Sequence, residues 1–154
     1  MPIAYQRIEQ KYAIKKGLLY ALALQESGKK LPGNFVPWPW TLNVDKVPRR
    51  YESRHAVYHD LVRYVAEKKM VDIGLCQINW HWNNEQFGSL WEALDPYRNI
   101  EVCAQILKQR YDETQDWWVA VGKYHSPGHK HQQIKNAYKH RVSVHRRWLA
   151  LNID

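Results

Sequence analysis

Between Leu18 and Ser27 the chain reads LLYALALQES and carries a single charge, Glu26. Leu19, Leu22, Ala23 and Glu26 stand at i, i+3, i+4 and i+7, on one face of a helix. Gly28 is well placed to end that helix. A stripe this apolar must be covered by other elements, and the carboxyl at its end is then partly desolvated. Desolvation raises a carboxyl pKa and keeps it protonated near neutral pH, the state a general acid needs. The plainer alternative is a helix-end glutamate turned to solvent, the usual fate of charged residues.

The rest of the chain is mostly helical in period. Ala4–Ala13 is a short helix, with Tyr5, Ile8 and Tyr12 at helical spacing. Ser53 caps a helix to about Lys68 that buries Val57, Leu61 and Val65. Asp95-Pro96 starts another, with Ile100, Cys103, Ala104, Leu107 and Tyr111 inward. Asp116 caps a helix to about Tyr124, broken by Ser126-Pro127-Gly128. The last helix runs from Lys130 to Leu149, with Ile134, Tyr138, Val142 and Leu149 in a stripe. Two other stretches differ. Leu31–Trp40 is rich in Pro and Trp, and Trp40, Leu42 and Val44 alternate with Thr41 and Asn43 as in a strand. A turn at Asp45–Pro48 returns the chain through Arg50–Glu52, giving a small β-hairpin. Ile73–Ile78 is an apolar run too short to type. No βαβ alternation appears, which argues against a nucleotide-binding sheet.

A length of 154 residues suits one domain over residues 1–154. Eight Trp and ten Tyr against two Phe supply flat rings with polar handles, suited to core packing and to sugar contacts alike. The net charge of +8 points to an acidic polymer as partner. No stretch approaches a membrane span, and no signal peptide is visible at Met1-Pro2-Ile3. His125, His129 and His131 cluster, with His140 and His145 following. Their spacing matches no metal motif, and a solvated basic surface is the simpler reading, with no metal. The chain shows no recognisable motif for specific nucleic-acid binding. Lys135, Lys139, Arg141, Arg146 and Arg147 on the last helix suit either a solvated face or contact with an acidic polymer.

Four motifs carry a resemblance. ALALQESG (residues 21–28) resembles the Glu-Ser motif of the soluble lytic transglycosylase family. DIGLCQINW (72–80) resembles its Gly-Leu-Met-Gln-Ile motif. LDPYRNIEVCAQILKQRY (94–111) resembles the later helix with its Asn-Ile start, and WWVAVGKYHSPG (117–128) the Ala-Tyr-Asn-Ala-Gly segment. They occur in the family's order. The PWPWTLNV insertion (37–44) is most similar to the transglycosylases that accompany conjugation and secretion machinery.

The resemblance implies a lysozyme-like fold, mainly α (α+β), with a small β-hairpin beside the cleft. It implies a peptidoglycan lytic transglycosylase in which Glu26 is the catalytic acid and base. Ser27, Gly74, Gln77, Asn79, Trp80, Tyr124 and His125 are its candidate substrate-binding residues. Trp38, Trp40, Trp82, Trp117 and Trp118 are further candidate platforms, with Trp80 the one singled out. Cys76 stands where Met is usual, Cys103 where a small residue is usual, and His125-Ser126-Pro127 replaces Asn-Ala-Gly. Cys76 and Cys103 lie on elements that pack together in the family, as a disulfide or as two buried thiols. Asp72 and Asp45 are candidates for a second carboxylate, which would favour a hydrolytic muramidase like goose-type lysozymes. A non-catalytic wall-binding scaffold is the other alternative. The family implies no cofactor, glycan strands and a conjugation or secretion complex as partners, a monomer, and a place in the periplasm or cell envelope.

Overall fold

The computed structural model describes residues 1–153. It is mainly α-helical with small antiparallel sheets, the class expected. The chain divides into two compact units, one of Met1–Gln25 with Cys103–Asp154, the other of Glu26–Val102. The first unit holds α1 (Ile3–Lys11), most of α2 (Leu18–Ser27), the later part of α6 (Pro96–Thr114), α7 (Trp117–His125) and α8 (His131–Ala150). The second holds β1 (Gly28–Leu31), β2 (Asn34–Pro37), β3 (Thr41–Val44), β4 (Val47–Arg50), α3 (Arg54–Ala66), β5 (Val71–Ile73), β6 (Ile78–Asn79), α4 (Trp80–Asn83) and α5 (Leu90–Ala93).

In the first unit, Leu18, Leu19, Leu22, Leu107 and Val121 are completely buried. The start of α2 is held by a side chain with no apolar character. Glu9, only 3% exposed, accepts from the backbone N–H of Gly17 at 3.0 Å and of Leu19 at 2.9 Å. Helix α7 is capped as expected: the Asp116 carboxylate accepts from Trp118 N and Val119 N. Helix α8 departs from expectation. Its buried residues are His140 and Val144, whereas Ile134, Tyr138 and Leu149 of the expected stripe are 57%, 59% and 57% exposed. The backbone of α8 comes so close to α7 that a Cβ on Gly122 would sit 2.9 Å from the carbonyl oxygen of Ala137. The inward face of α8 is therefore the one that allows close approach, not the one with the largest apolar side chains.

In the second unit the strands form two sheets, where one hairpin was expected. The β3–β4 hairpin is present, with register Thr41↔Arg50 to Val44↔Val47 and a two-residue turn. Asp45 and Lys46 both adopt positive φ there, 48° and 72°, the mirror-image turn that suits strand twist. Strands β5 and β6 extend it to a four-stranded antiparallel sheet, order β4-β3-β5-β6. This assigns the short apolar run at Ile73–Ile78 to the end of one strand, a tight loop and the start of the next. The separate hairpin β1–β2, paired from Gly28↔Pro37 to Leu31↔Asn34, lies where no element was expected. Its strands are half-exposed or exposed throughout, so they carry no alternating apolar signal. Ser53 caps α3 by accepting from Ala56 N, as expected.

Candidate active site

Glu26 is the next-to-last residue of α2, and the chain turns into β1 immediately after Ser27. The residue beside the carboxyl is clamped on both sides. Ser27 is completely buried, its hydroxyl donates to the Leu75 carbonyl at 2.7 Å, and its own carbonyl accepts from Trp38 N at 3.0 Å. Ser27 was expected among the sugar-contacting residues. A buried hydroxyl whose proton is committed to Leu75 instead ties the helix end to the Gly74–Gln77 loop.

That loop is built by left-handed backbone. Gly74 has φ +80° and Gln77 φ +52°. Gly74 N donates to Thr41 O at 2.8 Å, and a Cβ at this position would meet Asn99 Nδ2 at 2.6 Å. Both the backbone conformation and the close approach therefore require glycine. The Gln77 side chain folds back onto the loop, its amide donating to Thr41 O at 3.1 Å and Gly74 O at 2.9 Å. Gln77 braces the loop against β3, so its amide N–H groups are used within the protein.

The strongest tie comes from a residue absent from the expected site. Asn99, 1% exposed in the first turns of α6, accepts from Cys76 N at 3.0 Å and donates to Ile73 O at 2.9 Å and Ala93 O at 3.1 Å. One amide thus fixes both sides of the motif loop and the end of α5. The Asn-Ile pair at 99–100 was the only sequence signal for it. Asn79 caps α4 by accepting from Trp82 N at 3.1 Å and donates to Asp72 Oδ1 at 2.9 Å. Register places Asn43, Asp72 and Asn79 side by side across β3, β5 and β6.

Asp72 and Asp45, with Asn43, Lys46, Met70 and Asn79, line a cavity of about 390 Å³. Asp45 has structural work there: its carboxylate accepts from Met70 N at 3.0 Å and lies 3.7 Å from Lys69 Nζ. Glu26 is not among the residues lining this cavity. Trp80 lies against Phe87, ring centroids 6.4 Å apart and nearly parallel, which leaves it half-buried. Two residues on, Trp82 is 76% exposed with the edge-on His81 ring against it, centroids 4.6 Å apart, so it rather than Trp80 presents an exposed ring beside the motif. Trp38 is half-buried, its indole N–H donating to Tyr51 O at 2.7 Å with Lys29 Nζ 4.0 Å above its ring.

In the first unit, Tyr124 and His125 end α7, Tyr124 half-buried and His125 exposed. The His125 ring stacks on His140, centroids 4.2 Å apart and 10° from parallel. Burial, and then the neighbouring His125, push the His140 pKa down to about 3. Trp117 stacks on Tyr111, and Trp118 packs edge-on against His145 and Trp148. Cys103 in this unit and Cys76 in the other are both buried thiols, not joined in a disulfide.

No curated protein and no solved structure gives a significant match to the chain. The family model of the transglycosylase SLT domain matches residues 51–145. The match takes in the Gly74–Gln77 loop, Asn99 and Tyr124, and begins after Glu26 and Ser27. By this match over most of its length, and with the mainly α fold that accompanies it, the chain belongs to the transglycosylase SLT domain family, with a lytic-transglycosylase type of function directed at peptidoglycan.

Proposed function

We propose that this protein is a lytic transglycosylase that cleaves the β-1,4 bond between N-acetylmuramic acid and N-acetylglucosamine, using Glu26 as its single acid and base. The observation that carries this reading is the Ser27–Leu75 hydrogen bond. It fixes the helix end bearing the carboxyl to the Gly-Leu-Cys-Gln loop, the part of the chain that the family model covers. Ordinary glycosidases use two carboxyls flanking the bond. Here the two other candidates, Asp45 and Asp72, share a cavity whose lining excludes Glu26, and Asp45 is engaged by Met70 N and Lys69. This favours one-carboxyl chemistry over hydrolysis.

In that chemistry Glu26 gives its proton to the glycosidic oxygen as the bond to muramyl C1 breaks. The substrate's N-acetyl group stabilises the positive carbon. The Glu26 carboxylate then takes the proton of the muramyl C6 hydroxyl, whose oxygen bonds to C1 and closes a 1,6-anhydro ring. The carboxyl ends protonated, as it began, and no water is consumed. Trp82 offers an exposed ring for stacking a sugar beside the motif loop. The similarity of the PWPWTLNV insertion to conjugation- and secretion-associated transglycosylases supports a role in opening the wall for such an apparatus, in the periplasm or cell envelope.

The test is digestion of purified peptidoglycan with wild type and Glu26→Gln, read by mass spectrometry. The expected products are muropeptides one water lighter than those of a hydrolase, absent with Glu26→Gln. Reducing-end products would make the protein a muramidase and return attention to Asp45 and Asp72. Wall binding without products from either protein would make it a scaffold.

A further inference from the structure

No carboxylate occurs between Asp116 and Asp154, whereas seven Lys or Arg residues do, so this stretch supplies most of the net charge of +8. Within it α8, His131–Ala150, has no acidic residue at all. At 3.6 residues per turn, Ile134, Tyr138, Val142, His145 and Leu149 fall within an arc of about 80°. Ile134, Tyr138 and Leu149 are more than half exposed, while the buried His140 and Val144 lie on the opposite side of the helix. Lys135, Lys139 and Arg146 run along one edge of the exposed stripe. Arg141 flanks the other edge, its guanidinium 5.3 Å from the centre of the Tyr138 ring. Next to the stripe, Arg141, Val142 and His145 join Asp116 and Trp118 around an open pocket of about 280 Å³.

An apolar stripe with Ile134, Tyr138 and Leu149 exposed and Val142 half-buried between them marks an interaction surface. Its chemistry selects the occupant. A second copy of this chain would bring two basic rims together. A glycan gains from flat rings and hydrogen bonds, and Ile134, Val142 and Leu149 offer neither. A nucleic acid would use the cations and the tyrosine and leave the aliphatic residues in water. An anionic bilayer satisfies both halves: aliphatic and aromatic side chains enter the boundary below the headgroups, and Lys and Arg extend their charges to the phosphates. No helix among the described residues is long and apolar enough to cross a membrane, so such contact is interfacial. We propose that the stripe Ile134–Tyr138–Val142–Leu149, with its rim of Lys135, Lys139 and Arg146, docks this domain on an anionic lipid surface with α8 lying in the interface plane.

The test is sedimentation of the full chain with vesicles of phosphatidylglycerol and phosphatidylcholine in equal parts, against vesicles of phosphatidylcholine alone. Wild type should partition onto the first and not the second. Each cation near an anionic surface contributes roughly fivefold, so Lys135→Gln, Lys139→Gln and Arg146→Gln together should weaken binding about a hundredfold. Ile134→Ser, Tyr138→Ser and Leu149→Ser together should weaken it at least about tenfold through lost apolar burial. All six side chains are exposed, and thermal melts establish that the variants fold. As a gain of signal, Tyr138→Trp emission should shift to the blue with the anionic vesicles. Equal binding to both vesicles, no binding to either, or binding that survives loss of the apolar residues would overturn the proposal. So would a concentration-dependent dimer abolished by Tyr138→Ser, which would assign the face to a second copy.

Discussion

Glu9 shows what a single buried carboxyl does for this chain. It sits in α1 yet accepts from Gly17 N and Leu19 N, two of the orphan donors that any helix leaves at its start. Glu9→Ala leaves both N–H groups buried without this acceptor. At about 1–3 kcal/mol for each unsatisfied group, the variant should lose about 3 kcal/mol in a urea denaturation series. Unchanged stability would mean that water replaces the carboxylate. This role was not legible in the sequence. In α1 the period shows Tyr5, Ile8 and Tyr12, and a glutamate one position on from Ile8 reads as solvated surface. Only the course of the chain through Gly17 brings α2's first N–H groups to it. Glu26 is the reverse case: the helix stripe and the ESG sequence mark it as a candidate, and α2 ends one residue after it.

At the level of elements, the motif loop depends on α6 through Asn99. Asn99→Ala removes one acceptor and two donors and leaves Cys76 N, Ile73 O and Ala93 O buried without them, again about 3 kcal/mol or more. Asn99→Asp should be worse at neutral pH, because a carboxylate oxygen would face the two carbonyls that the amide now serves. Hydrogen exchange at Cys76 N should rise in both variants, ahead of exchange in α3. Exchange that stays slow would show the loop to be held by Gly74 and Gln77 alone. Motif spacing gave the parts of this loop, Gly74 and Gln77 included. It did not give the clamp, because a lone Asn in the first turns of a helix has many commoner uses. The α8 stripe teaches a related limit. Periodicity finds an apolar face, but close approach of the α7 and α8 backbones at Gly122 and Ala137 turned a different face inward.

For the molecule as a whole, acid is the natural stress, since it adds charge to a chain already at +8 with eight histidines. His140 resists that charge. Its folded pKa, about 3, lies below the ordinary 6.5, so between these values the unfolded chain binds the extra proton. Stability from this residue is fully present above about pH 6.5 and is lost as pH falls, with a slope of about 1.4 kcal/mol per unit down to about pH 3. His140→Phe keeps a ring against His125 and removes the titration, so its melting temperature should fall less than that of wild type between pH 6.5 and 4. Parallel curves would show that His140 titrates normally. By itself the sequence determined the mainly helical class, the helix starts at Ser53, Asp95 and Asp116, the β3–β4 hairpin, and the order of the motifs, because each rests on local period, capping or turn chemistry. Tertiary structure alone decided the β1–β2 hairpin, the outward turn of the α8 stripe, the sharing of one cavity by Asp45 and Asp72, and the commitment of Ser27, Gln77 and Asn99 to holding a loop. Those depend on which distant backbone groups are left to be satisfied, and a one-dimensional pattern does not record where they lie.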